Sequence, residues 1–148
     1  MKQLLLLFLL SFGAKAAFSQ DNKAHINHVA VFVVSLQKSV DFYTNVMGLD
    51  TIPEPFHDNK HAWYRIGPGA ALHVIEGAKE PKEYFLNNHM CFSVASVDGF
   101  VEKLKKHQIG WVNAKGEKML VTTRVDGVKQ IWINDPDGYW LEINDAKD

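Results

Sequence analysis

The chain has one cysteine, Cys91, and two arginines, Arg65 and Arg124, among its 148 residues. Each scarcity removes a class of answer. A single cysteine cannot close an internal disulfide, so stability has to come from packing. Its place in the apolar run Met90-Cys91-Phe92 suggests a small core residue, and no activating motif of the kind a catalytic thiol needs surrounds it. Two arginines cannot build a phosphate clamp of several guanidinium groups. Charge of one sign is also missing, since 16 basic and 17 acidic residues give a formal net charge of −1. A nucleic-acid binder normally concentrates Lys and Arg on one face, so no nucleic-acid partner is expected. A length of 148 residues supports one compact domain with a sizeable core, not two.

Long hydrophobic runs are absent except at the start. Met1-Lys2-Gln3 is a short positive opening, residues 4–14 are almost all apolar, and Ala14-Lys15-Ala16 and Ala17-Phe18-Ser19 supply small residues. This three-part layout predicts a signal peptide over 1–19, cleaved after Ala16 or Ser19, and an exported domain over 24–148, periplasmic or secreted. The run is well short of the roughly 20 residues that span a bilayer, so no integral membrane segment is expected after processing. Loss of Lys2 and Lys15 leaves 14 basic against 17 acidic residues, a mature charge of −3.

What the sequence does contain is itself, twice. Asn27-His28-Val29-Ala30-Val31-Phe32-Val33 aligns with Asn88-His89-Met90-Cys91-Phe92-Ser93-Val94 at an offset of 61. Both read as strands, and each leads through a Ser-containing turn into an amphipathic helix. The first helix carries Leu36, Val40, Tyr43 and Met47 at near-helical spacing and stops at Gly48; the second carries Val97, Val101 and Leu104 and stops at Gly110. Further on, Trp63 to Gly69 aligns with Trp132 to Gly138, and Leu72-His73-Val74-Ile75 with Leu141-Glu142-Ile143-Asn144, at an offset of 69. A Gly-, Pro- and Asp-rich turn separates two strands in each copy. The unit is therefore βαβββ, used twice, over about 26–76 and 87–144, with the added length of the second copy around 112–123 and a link over 77–84.

Overlaying the copies singles out four residues. His28 matches His89 in the first strand, and His73 matches Glu142 in the last. Units related by a pseudo-twofold axis bring equivalent positions together, and imidazole nitrogens with a carboxylate oxygen suit a divalent first-row metal. Strand parity sets His73 and Glu76 on opposite faces, and the overlay with Glu142 selects His73 for the cavity. Trp140 shares a face with Glu142, and Trp63, Trp132 and Phe56 join it as candidate walls for a small, partly apolar substrate. His25, His57 and His61 are expected in loops, and His107 at a helix end.

The paired βαβββ units, the Asn-His start followed by Ser39, Phe42-Tyr43 and Gly48, and Asp135-Pro136-Asp137-Gly138 before Leu141-Glu142 resemble the vicinal oxygen chelate superfamily. The resemblance covers about Ile26 to Asn144. It implies an α+β fold in which two tandem modules form a cupped, barrel-like mixed sheet with helices outside, and a homodimer. It places metal ligands at His28, His73, His89 and Glu142, around one Zn, Ni, Mn, Fe or Co ion. His73 is a departure, since glyoxalase-type members carry Glu or Gln there; it is either a ligand or, with Glu142, the group that moves the substrate proton. The resemblance thus implies a glyoxalase-like lyase or isomerase acting on a small hydroxycarbonyl compound. Ring-cleaving dioxygenases, fosfomycin-type resistance enzymes and non-catalytic binding modules for drugs or metabolites share the pattern.

Overall fold

The computed structural model describes residues 23–147. The expected signal peptide lies outside the described residues. Eight strands and two helices follow in the order β1 (His28–Val33), α1 (Leu36–Asp41), β2 (Thr51–Ile52), β3 (His61–Gly67), β4 (Ala70–Glu76), β5 (His89–Ser93), α2 (Val97–Lys106), β6 (Thr122–Thr123), β7 (Lys129–Asn134) and β8 (Trp140–Asn144). The strands form two four-stranded mixed sheets, ordered β1-β4-β3-β2 and β5-β8-β7-β6. In each, the first strand pairs parallel with the last and the meander is antiparallel. The α+β reading with two βαβββ modules holds, and the strands stay in two sheets instead of closing one barrel.

Register carries the repeat into three dimensions. Ala30 pairs with His73 in the first sheet and Cys91 with Glu142 in the second, while Trp63 pairs with His73 and Trp132 with Glu142. Directly paired residues share a face. His28, Ala30, Trp63 and His73 therefore line one face of sheet one, and His89, Cys91, Trp132 and Glu142 the equivalent face of sheet two. The opposite faces supply the core: Val31, Val33, Tyr64, Leu72 and Val74 from one, Ile131, Ile133, Leu141 and Ile143 from the other, in a single buried cluster.

The helices close that cluster. Ser35 and Ser96 occupy the N-caps, their side chains accepting from the Lys38 and Gly99 amides, which explains the Ser in each turn. α1 widens into a π-helical turn over Phe42–Val46, burying Phe42, Tyr43 and Val46, before Gly48 reverses the chain at φ 74°. α2 buries Val97, Phe100, Val101 and Leu104. It ends four residues before Gly110: His107 is the C-cap and Gln108 adopts the left-handed conformation at φ 57°, so a non-glycine residue takes the reversal. Among the described residues no helix is long and apolar enough to cross a membrane.

The two modules are joined by more than the shared core. The Asp135-Pro136-Asp137-Gly138 turn reaches across to the first module. Asp137 accepts from the Val34 amide at 2.7 Å, Asp135 accepts from the Tyr43 hydroxyl at 2.8 Å, and the Tyr139 hydroxyl accepts from the Phe32 amide at 3.0 Å. Phe32 lies near the end of β1 and Val34 just after it, and among the described residues β1 has no strand neighbour on its outer side. Asp135 and Asp137 are buried. The motif that marks the repeat in sequence thus holds the modules together in space.

Candidate functional site

Each module presents half of the expected constellation. In the first, the imidazole of His73 is buried and stacks on Trp63, with ring centroids 4.3 Å apart and planes 25° from parallel. Phe56, from the loop before β3, covers it at 5.7 Å and 8°. The His28 ring lies 6.0 Å from it, centroid to centroid. The Nε2 of His73 is buried without a hydrogen-bond partner. Burial, then the neighbouring His61 and His28, lower its pKa, which keeps the ring neutral, the form that binds metals. An orphaned buried nitrogen of this kind is costly unless it has a ligand.

In the second module, His89 Nε2 stands 2.9 Å from Glu142 Oε2. His89 Nδ1 lies 2.8 Å from the Leu86 carbonyl and 3.4 Å from Trp132 Nε1. One nitrogen cannot both donate to the carbonyl and accept from the indole, and the shorter contact decides for donation. With its proton on Nδ1, Nε2 faces the carboxylate either as an imidazolium or with a cation between two lone pairs. His28 is fixed the same way, its Nδ1 donating to the Asn27 side-chain oxygen at 2.8 Å. Both first-strand histidines therefore present Nε2, the arrangement by which a second partner orients a metal-binding imidazole. On this chemistry the donor sets fit a divalent metal.

The pairs do not merge within one chain. Among the described residues, no three His, Cys, Asp or Glu side chains converge to hold a metal ion. His89 meets Glu142 and His28 approaches His73, each pair within its own sheet. Packing through the helices and the Asp135–Asp137 turn turns the cores together, and these two faces are not part of that buried cluster.

The expected cavity walls are found in three places. Trp132 and Trp140 line a pocket of about 300 Å³ with Trp111, Met119 and Lys118, on the long connection before β7. Trp63 lines a smaller one of about 180 Å³ with Ile52 and Arg65. Phe56 is the cover on His73.

Two expectations need correction. His61 is no loop residue: it opens β3, on the same face as His73, with ring centroids 5.0 Å apart, and its Nδ1 is 2.8 Å from Asp58 Oδ1. The polar run before it hid the strand start, which pairing with Ile75 fixes. Cys91 is not a core residue but exposed, because parity places it with His89 and leaves Met90 and Phe92 to pack inward. Its thiol is pushed up to about 11, first by desolvation and then by the Glu142 carboxylate. Asn144, beside Glu142, was not singled out, because its counterpart in the first copy is an isoleucine, Ile75.

The parity argument against Glu76 has a direct outcome: Glu76 Oε2 accepts from the Leu36 amide at 2.7 Å, satisfying the start of α1. Glu76→Ala is expected to cost about 1 kcal/mol in urea unfolding and to leave metal uptake unchanged; lost metal uptake would reverse the assignment of the two faces.

Comparison with known proteins follows the same lines. Arabidopsis thaliana "Glyoxylase I 4" is 32% identical over 124 residues, covering 80% of this chain and 68% of that protein. The lactoylglutathione lyase of Escherichia coli O157:H7 is 29% identical over 129 residues, covering 82% of this chain and 92% of that protein. Among solved structures, the oxidase ChaP-H2 superposes with a TM-score of 0.69 at 18% identity over 84% of this chain and 94% of that one, a likeness of fold. The family model described as Glyoxalase/Bleomycin resistance protein/Dioxygenase superfamily matches residues 25–143. With the paired βαβββ modules and the repeat-related faces, this shows that the chain belongs to the Glyoxalase/Bleomycin resistance protein/Dioxygenase superfamily.

Proposed function

We propose that this protein is a glyoxalase-like, metal-dependent lyase or isomerase acting on a small hydroxycarbonyl compound, with its sites completed by a second copy of the chain. The observation that carries the reading is the pairing of His73 Nε2, buried without a partner, with His89 and Glu142 held at 2.9 Å in the equivalent place of the other module. Relatives named glyoxylase I and lactoylglutathione lyase support the reaction class.

His28 and His73 would hold the metal from one chain and His89 and Glu142 from its twofold mate, since each chain offers one pair per sheet. A divalent metal, when bound, supplies Lewis-acid stabilisation of the negative charge that develops on two neighbouring substrate oxygens. The chain's own groups do the rest. His73 Nε2 where it is not a ligand, or Glu142 Oε2 where that oxygen is not engaged by the cation, takes the proton from the substrate carbon and returns it to the adjacent one, and a placed base of this kind contributes on the order of 10²–10⁴ in rate. Trp63 and Phe56 beside His73, and Trp132 and Trp140 beside Glu142, would supply the walls from the two chains where the faces meet. Export, expected from residues 1–19, and the shortage of arginine to grip carboxylates both favour a substrate without glutathione.

The test is metal content of the purified chain after reconstitution with Zn(II), Ni(II), Mn(II), Fe(II) or Co(II), with His28, His73, His89 and Glu142 each changed singly to Ala. Wild type is expected to retain about one ion per chain and to sediment as a dimer. His28→Ala, His89→Ala and Glu142→Ala are expected to lose it. Retention by His73→Ala alone makes His73 the base instead of a ligand. No stoichiometric metal in wild type would overturn the reading and leave a non-catalytic binding module.

A further inference from the structure

The Glu142 carboxylate is held from its second oxygen by a residue with no counterpart in the other module. Asn144 lies two positions along β8, on the same face, and is 7% exposed. Its Nδ2 donates to Glu142 Oε1 at 3.1 Å and to Cys91 Sγ at 3.1 Å, and its Oδ1 accepts from the Ala146 amide at 3.2 Å. These partners fix the amide's orientation. Turned over, it would set an oxygen against the carboxylate and an NH₂ against the Ala146 N–H, leaving repulsion at both ends. The repeat-equivalent position in β4 is Ile75, beside a histidine that has no second oxygen to restrain.

We infer that Asn144 is a positioning residue that occupies Glu142 Oε1, so that only Oε2, the oxygen 2.9 Å from His89 Nε2, is offered to a cation. The inference rests on the proposed metal-binding reading and deepens it. A carboxylate with both oxygens free can swing or close on a metal with both; one oxygen tied to a buried amide is restricted to single-oxygen ligation in one orientation. The pairing also explains why a buried asparagine follows Leu141 and Ile143 in this strand: its Nδ2 donates to Glu142 and Cys91 and its Oδ1 accepts from Ala146, so its polar groups are all used.

The test titrates Co(II) into the full chain and follows its visible ligand-field absorption in wild type, Asn144→Ala and Asn144→Leu. Circular dichroism confirms that both variants fold. The expected result is a Co(II) affinity lower by about 10- to 100-fold in both variants, the usual effect of removing a partner behind a metal ligand. It comes with a weaker, shifted absorption as Oε1 joins the coordination shell. Affinity within about twofold of wild type would overturn the inference while the metal-binding reading stood, given the size of effect such partners have. A lower affinity with an unchanged spectrum would overturn it as well, since that is what a loss of packing alone produces. If wild type takes up no Co(II) or any other divalent ion, the proposed function falls and this inference with it.

Discussion

Gly138→Ala is expected to destabilise the protein by about 3–4 kcal/mol, while the repeat-equivalent Gly69→Ala costs about 1 kcal/mol. Both glycines sit at the hairpin turn of their module with positive φ, 90° at Gly138 and 69° at Gly69, so both variants bear the strain of a side chain in the left-handed region. The difference is what lies beyond. A Cβ at Gly69 would meet nothing within 4 Å, whereas one at Gly138 would run into the Lys82 carbonyl oxygen and stand 3.3 Å from its carbon. That neighbour is backbone and cannot rotate away. The segment joining the modules would have to lift, breaking the Lys82 amide's bond to the Asp137 carbonyl at 3.2 Å, worth about 1 kcal/mol. Guanidinium unfolding of both variants measures the gap. Equal losses would mean that the linker does not ride on this turn.

That asymmetry between matched glycines marks where sequence reasoning stopped. What depends on neighbours along the chain was legible. The period-two alternation of Leu72 to Ile75 set His73 apart from Glu76, and the structure gives each the face expected of it, with His73 under Phe56 and Trp63 and Glu76 at the start of α1. The overlay of Ala30 with Cys91 and of His73 with Glu142 reappears as the ladder register, because two copies of one pattern fold to one pairing. Yet the same alternation, applied to Cys91, places it outward beside His89; its apolar neighbours suggested the core instead. His61 was lost for another reason. A polar run from His57 to Lys60 carries no strand signal, and only the partner strand, distant in sequence, says where β3 begins. How the modules sit against each other is non-local throughout. It depends on a turn, Asp135 to Gly138, whose carboxylates find partners about a hundred residues away, at Val34 just after β1 and at Tyr43 in the π-helical turn that follows α1. No pattern within one copy contains that information.

The carboxylate at the centre of that junction should be the most sensitive single position outside the core. Asp135 Oδ2 accepts from the Tyr43 hydroxyl at 2.8 Å, and Oδ1 accepts from the Asp137 and Tyr139 amides, each at 2.9 Å. Asp135→Ala strands three donors where water does not replace the lost acceptor, and the expected cost is about 3–5 kcal/mol, a large share of a typical domain's stability. Asp135→Asn keeps an oxygen for the two amides and offers an NH₂ to the Tyr43 hydroxyl oxygen, so its cost is expected near 1 kcal/mol at low pH. The pH dependence separates charge from shape. Burial raises the Asp135 pKa above its ordinary value, outweighing the three hydrogen bonds that favour the ionised form, and Asp137 beside it acts in the same upward direction. The folded chain therefore keeps a proton that the unfolded chain has already released. Stability contributed by that proton is complete below the ordinary carboxylate range and is lost as pH rises through the raised value. Asp135→Asn carries no titrating group there, so its stability should lack this decline, and the gap to wild type should narrow as pH rises from about 3 to 7. Urea unfolding of the two proteins across that range measures it. A gap that stays constant would show that Asp135 ionises in the fold as easily as in the open chain, and that the junction is held by hydrogen-bond geometry alone.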